Sequence, residues 1–139
     1  MTLSAILSVS VALAMAAGPA AAEERPLNLR PHQRLEAAHQ ALMATGWHRR
    51  PTHVLVEIAP GTLSLGRLAG LARAFYFAGY AEVETCDNAG VPRCTFNYLG
   101  ADGRCLRLLT IGASVTDATI ASWSFECPPD GAVEWARRP

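Results

Sequence analysis

The chain has 139 residues, enough for one domain and too few for two ordinary ones. Its 12 basic and 12 acidic residues balance, and all 12 basic residues are arginine. This neutral balance argues against a nucleic-acid or anionic-membrane partner, since either would favour a basic face.

The first 22 residues are typical of a secretory signal peptide. They carry no charged side chain, and an apolar run from Leu3 to Ala17 is followed by the A-x-A pattern Ala20-Ala21-Ala22. The run is shorter than the roughly 20 apolar residues of a transmembrane helix. We therefore predict a periplasmic or secreted protein, cleaved near Ala22, with one domain over residues 23–139 and no integral membrane segment.

The first half of this domain has helical periodicity. After an extended leader at residues 23–31, three apolar residues recur on one face of a helix that Gly46 ends: Leu35, Ala38 and Leu42. Residues 52–58 alternate in polarity, which fits either a short strand or an extended linker. A second helix is predicted after Thr62 or Ser64 as N-cap, ending at Gly79, with its apolar stripe at Leu68, Leu71, Ala72 and Phe75.

From Tyr80 the apolar period changes to two, which predicts four short antiparallel strands at residues 81–86, 94–99, 105–112 and 119–127. Asp102-Gly103 separates two of them and suits a two-residue hairpin turn. Residues 128–139 are predicted to be an irregular tail. The expected fold is α+β, with two helices on one face of a three- to four-stranded antiparallel meander.

An exported chain with four cysteines implies two disulfides, for which three connectivities exist. The four are Cys86, Cys94, Cys105 and Cys127. The two-residue turn would place Phe96 opposite Leu109 and Tyr98 opposite Arg107. Placing Cys105 opposite Cys127 then gives a consistent buried face of Phe96, Tyr98, Leu109, Ile111, Trp123 and Phe125. This agreement favours bridges 86–94 and 105–127, although it leaves Leu99, Leu106 and Leu108 on the polar face and Arg107 on the apolar one.

Several polar residues are candidates for binding or chemistry. The stapled loop would present Asp87, Asn88 and Arg93, and Arg49-Arg50 could hold a carboxylate or phosphate group of a partner. Glu82 and Glu84 alternate along one strand face and are the only candidate catalytic carboxylates. No catalytic motif, metal-ligand spacing or cofactor fingerprint is present, so we predict no enzyme activity, metal or cofactor.

One stretch resembles a family of small exported bacterial proteins of unknown function. The pattern is G-Y-x-E-V-x-x-C, a glycine-rich loop and C-x-F-x-[FY], matched here by "GYAEVETC" from Gly79 and "CTFNY" from Cys94, with a later Trp123. Upstream, a helix ending in Gly46-Trp47 also matches. The loop departs from the pattern, since "DNAG" replaces Ser-Gly-Thr-Gly, and Cys105 and Cys127 are additions. The resemblance implies an exported globular domain and carries no activity.

These observations predict a binding module that acts on an envelope protein or a cell-wall component. The alternative is a small envelope hydrolase, or an inhibitor of an envelope enzyme, that uses Glu82 and Glu84 or the Cys86–Cys94 loop.

Overall fold

The computed structural model describes residues 27–53, 55–66 and 68–128. Within these ranges the chain forms two helices, α1 (Leu35–Ala44) and α2 (Gly70–Phe77), and seven strands. The strands are β1 (His48–Arg49), β2 (Val56–Ala59), β3 (Thr62–Ser64), β4 (Val83–Asp87), β5 (Arg93–Leu99), β6 (Cys105–Ile111) and β7 (Thr119–Ser124). The predicted signal peptide and nearly all of the predicted tail lie outside the described residues.

The α+β prediction is confirmed, but the sheet is larger than the predicted meander. Five strands form one antiparallel sheet in the order β1-β5-β6-β7, and β4 pairs with β5 along the edge that β1 also uses. Strands β2 and β3 form a separate two-stranded hairpin. The uncertain segment at residues 52–58 therefore ends in a strand, β2.

Helix α1 follows its predicted pattern closely. Leu35, Ala38 and Leu42 are fully buried, and Gly46 has a φ of +91°, which suits the end of a helix. The N–H of Trp47 donates to the carbonyl of Leu42 at 3.1 Å, and the Trp47 side chain folds into the core.

Helix α2 begins later than predicted. Thr62 and Ser64, the two candidate N-caps, lie in β3 instead, and the residue that precedes the helix is Ala69. Gly66 has a φ of +64°, which a continuous right-handed helix cannot contain. Leu68 is buried as predicted, but it belongs to the connection before the helix.

The predicted register of β5 and β6 is wrong by one residue. Gly100 donates its N–H to the carbonyl of Arg104 at 2.8 Å, so the hairpin loop has three residues, with Gly103 at a φ of +84°. A type I turn followed by a left-handed glycine is the common loop of this length. Phe96 therefore pairs with Leu108 and Tyr98 with Leu106. The β6–β7 register predicted by placing Cys105 opposite Cys127 is also wrong by one residue, since Arg107 pairs with Ser124 and not with Phe125.

This slip exchanges the two faces of β6, because side chains alternate along a strand. Leu106 and Leu108 are fully buried, whereas Leu109 and Ile111 are only partly covered and Phe125 is 51% exposed. The shift explains the misplaced Leu106 and Leu108 and the apolar position of Arg107, whereas Leu99, which pairs with Cys105, remains half-buried on the other face. The core lies between this face and the two helices, with Phe75 of α2 packed edge-on against Phe96 at 5.0 Å between ring centroids.

Candidate binding face and buried carboxyl cluster

Both disulfides occur in the pairing that the sequence favoured. Cys86 is bonded to Cys94, and Cys105 to Cys127. The first bridge joins β4 to β5 beside the last pair of their ladder, Asp87 and Arg93. It therefore fixes the base of the loop that connects the two strands.

The stapled loop is exposed. Asp87, Asn88 and Arg93 are all exposed, and Val91 is 64% exposed. The Asp87 carboxyl group accepts the N–H of Ala89 at 2.9 Å, so it stabilises the turn from within.

The β2–β3 hairpin exposes apolar side chains that sequence reasoning did not single out. Leu55, Val56, Ile58 and Leu63 are between 40% and 67% exposed. The single charged residue of the two strands, Glu57, accepts the N–H of Gly61 at 2.8 Å and so folds over the hairpin turn. A two-stranded hairpin is only marginally stable alone. Exposed apolar residues on it either promote aggregation or form a contact with a partner.

The chain at the base of the hairpin and the base of the stapled loop both contribute residues to one pocket. A pocket of about 400 Å³ is lined by His53 and Leu68, between which the hairpin is inserted, and by Cys86 and Asn88 at the stapled loop. The start of α2 and two residues of β4, Glu84 and Thr85, complete the lining. We call this surface the loop-end face and define it by the pocket together with Leu55, Val56, Ile58, Leu63 and Val91.

Glu82 lies elsewhere, in a closed polar cluster under the sheet. Its side chain is fully buried, and its Oε1 accepts a hydrogen bond from the Tyr98 hydroxyl at 3.0 Å. His39 Nδ1 lies 2.9 Å from this carboxyl oxygen and 2.9 Å from the Tyr98 hydroxyl oxygen, with which it shares a hydrogen bond. Arg49 Nη2 donates to His39 Nε2 at 3.2 Å, and Arg49 Nε lies 3.8 Å from Glu82 Oε2. Because arginine only donates, His39 Nε2 accepts and Nδ1 carries the proton.

Tyrosine acidity is suppressed in this cluster. Burial raises the pKa of Tyr98 well above the usual tyrosine value, and the neighbouring Glu82 carboxyl group raises it further. The pKa of Tyr80, whose ring meets His39 edge-on, is also raised by burial and by Glu36 and Glu82. Both phenols therefore act as neutral groups at physiological pH.

Glu84 occupies the opposite side of the sheet. Arg107 Nη2 donates to both of its carboxylate oxygens at 2.9 Å, and Asn97 Nδ2 donates to Oε2 at 2.9 Å. The predicted alternation of Glu82 and Glu84 on one face fails because the ladder shifts register between Val83 and Thr85 and because Glu82 precedes β4. The two carboxyl groups share no site.

The basic pair Arg49-Arg50 is also divided. Arg49 contacts the buried cluster, whereas Arg50 Nη1 donates to Cys105 Sγ at 2.7 Å. The structure does not bring the two guanidinium groups to one anion site. Sequence periodicity could not reveal these contacts, because Arg50 and Cys105 are 55 residues apart.

No three His, Cys, Asp or Glu residues in the described ranges are grouped to hold a metal ion. Over the same ranges, neither helix has the length and apolar character needed to cross a membrane. The fold and the loop-end face define a disulfide-stapled α+β domain with an exposed apolar rim. Comparison with family models, curated proteins and solved structures finds no match, so the resemblance to small exported proteins stays a prediction.

Proposed function

We propose that this protein is a binding module that recognises an envelope protein through its loop-end face. One observation carries the proposal. Of the eight large hydrophobic side chains that are exposed in the described residues, five belong to this face: Leu55, Val56, Ile58, Leu63 and Val91. Four of the five lie in the β2–β3 hairpin or directly before it, and clustered exposed apolar side chains are typical of interaction sites.

The covalent staple supports the same role. A loop held by the Cys86–Cys94 bridge loses less conformational freedom on binding than an open loop, and this raises affinity. The bridge also reduces the entropy of the unfolded chain, worth roughly 2.5 kcal/mol for a loop of this length. The two disulfides are compatible with an oxidising compartment outside the cytoplasm. An inhibitor of an envelope enzyme would use the same rigid loop.

The test compares two double variants that remove similar apolar area. Ile58→Ser with Leu63→Ser changes the loop-end face, whereas Met43→Ser with Phe77→Ser changes exposed apolar residues on the two helices. Leu63 and Phe77 are both 59% exposed, so they form a matched pair. Immobilised proteins are incubated with envelope extract, and the captured proteins are quantified by mass spectrometry.

We expect the loop-end variant to lose a defined set of captured proteins that the wild type and the helix variant retain. Identical captured sets for all three proteins, or equal losses in both variants, would contradict the proposal. A variant with Val91→Ser alone then separates the contribution of the stapled loop from that of the hairpin.

A further inference from the structure

Each bridge joins a buried cysteine to a more accessible one, and the bridges differ in that Cys127 is exposed whereas Cys86 is half-buried. Cys105 begins β6 opposite Leu99, and its residue is only 4% exposed. Cys127 lies three positions beyond the end of β7 and is exposed. An attacking thiol therefore reaches the sulfur of Cys127 more readily than that of Cys105.

The buried sulfur of this bridge also has a charged neighbour. Arg50 Nη1 lies 2.7 Å from Cys105 Sγ, a weak acceptor while it is part of a disulfide. An adjacent guanidinium group favours the thiolate form of a cysteine, and a better-stabilised thiolate leaves faster in thiol–disulfide exchange. In the described part of the chain, neither Cys86 nor Cys94 accepts a hydrogen bond from an arginine side chain.

We propose that Cys105–Cys127 is a thiol-exchange site that reacts with a dithiol reductant through Cys127. The reductant's thiolate attacks Cys127 Sγ, the bond between the two protein sulfurs breaks, and Cys105 leaves as a thiolate held by Arg50. The reductant's second thiol then displaces Cys127. The reductant is oxidised to its disulfide, and the protein gains two electrons as a thiol and a thiolate.

Opening this bridge changes the surface locally. The β6–β7 ladder extends to the pair Arg107 and Ser124, so the sheet keeps its register without the bridge. Phe125 follows directly, with its ring 6.4 Å from that of Trp47 and 4.7 Å from the Arg104 guanidinium carbon. Exchange at Cys127 would therefore release the segment that carries Phe125 and leave the loop-end face stapled. This inference does not depend on the proposed binding function.

The experiment follows both bridges at once in the oxidised full chain. The protein is incubated with dithiothreitol, quenched with acid, alkylated and digested with trypsin. Cleavage after Arg93, Arg104 and Arg107 places the four cysteines in separate peptides. We expect Cys105–Cys127 to open at least about tenfold faster than Cys86–Cys94.

Substitutions separate the charge from simple exposure. Arg50→Gln should slow the opening of Cys105–Cys127 about three- to tenfold and leave Cys86–Cys94 unchanged. Arg50→Lys, which keeps the charge, should restore most of the rate. Arg30→Gln, which removes an exposed arginine outside this contact, is the control for net charge and should have no effect.

A second arm identifies the attacked atom. With glutathione as the thiol, the mixed disulfide should appear in the peptide that begins at Leu108 and contains Cys127, with Cys105 alkylated. Glutathione on Cys105, an unchanged rate in Arg50→Gln, or earlier opening of Cys86–Cys94 would each overturn the proposal. Circular dichroism of each variant establishes that it is folded before its rate is used.

Discussion

Leu108 and Leu109 provide a sharp test of the sheet register, because the same substitution at adjacent positions has different expected costs. Leu108 is fully buried between its strand partners Phe96 and Trp123, whereas Leu109 is partly exposed on the face away from the helices. Both lie inside β6, so the loss of β propensity is the same for each. The difference therefore reports on burial alone.

We expect Leu108→Ala to lower the free energy of unfolding by about 3–4 kcal/mol, the range for a fully buried leucine that leaves a cavity. Leu109→Ala should cost about 1 kcal/mol, because its side chain is partly hydrated and water fills the space that it leaves. Urea denaturation of the oxidised proteins measures both values. With a slope of about 1.5 kcal/mol per molar urea, the two midpoints should differ by roughly 1.5 M. An equal or larger loss in Leu109→Ala would refute the observed register and support the two-residue turn.

Three further predictions concern the polar clusters and one close contact. Tyr98→Phe should cost about 1–3 kcal/mol because it removes the hydroxyl that donates to the buried Glu82. Since the folded-state pKa of Tyr98 is raised above 10.0, its contribution to the free energy of unfolding is complete below about pH 10 and is lost as the pH rises further. Above about pH 10, the urea midpoint of the wild type should therefore fall more steeply with pH than that of Tyr98→Phe. Arg107→Met should cost about 1–3 kcal/mol, and adding Glu84→Gln should cost less than the sum of the single changes, as a double-mutant cycle by urea denaturation would measure. Gly112→Ala should cost about 2–3 kcal/mol in thermal or urea unfolding, because the new Cβ would lie 2.9 Å from backbone atoms of residues 117 and 118.

Local patterns in the sequence predicted most of the elements. The α1 stripe and the four C-terminal strands follow from periodicity, because each depends on neighbouring residues. The disulfide pairing was predicted correctly although both strand registers that favoured it are shifted by one residue. The register failed because Asp-Gly, which favours a two-residue turn, also fits a three-residue loop whose last residue is a left-handed glycine. The apolar character of Leu106 and Leu108 favoured the three-residue loop, since only that loop places both side chains in the core.

The candidate sites were harder to predict because they depend on contacts between distant segments. Nothing near Glu82 in the sequence indicates that His39 lies 2.9 Å from its carboxyl group. The separation of Glu82 from Glu84 depends on a register shift of β4, which removes the strict alternation that the prediction assumed. The exposure of the β2–β3 hairpin was also hidden, because its alternating apolar residues are equally typical of a half-buried strand.

The positions of the two bridges allow their roles to differ. Cys94 lies near one end of the β5–β6 ladder and Cys105 at the other, where it faces Leu99. The seven residue pairs of this ladder and the core beneath it hold the strands in register. Opening Cys105–Cys127 would remove a stabilisation of about 3.4 kcal/mol, which a domain of typical 5–15 kcal/mol stability can lose and stay folded. Because Cys86–Cys94 closes the loop at the far end of the ladder, exchange at Cys127 and binding at the loop-end face can proceed independently. Reduction with dithiothreitol that opens only Cys105–Cys127 should therefore leave the captured set of envelope proteins unchanged.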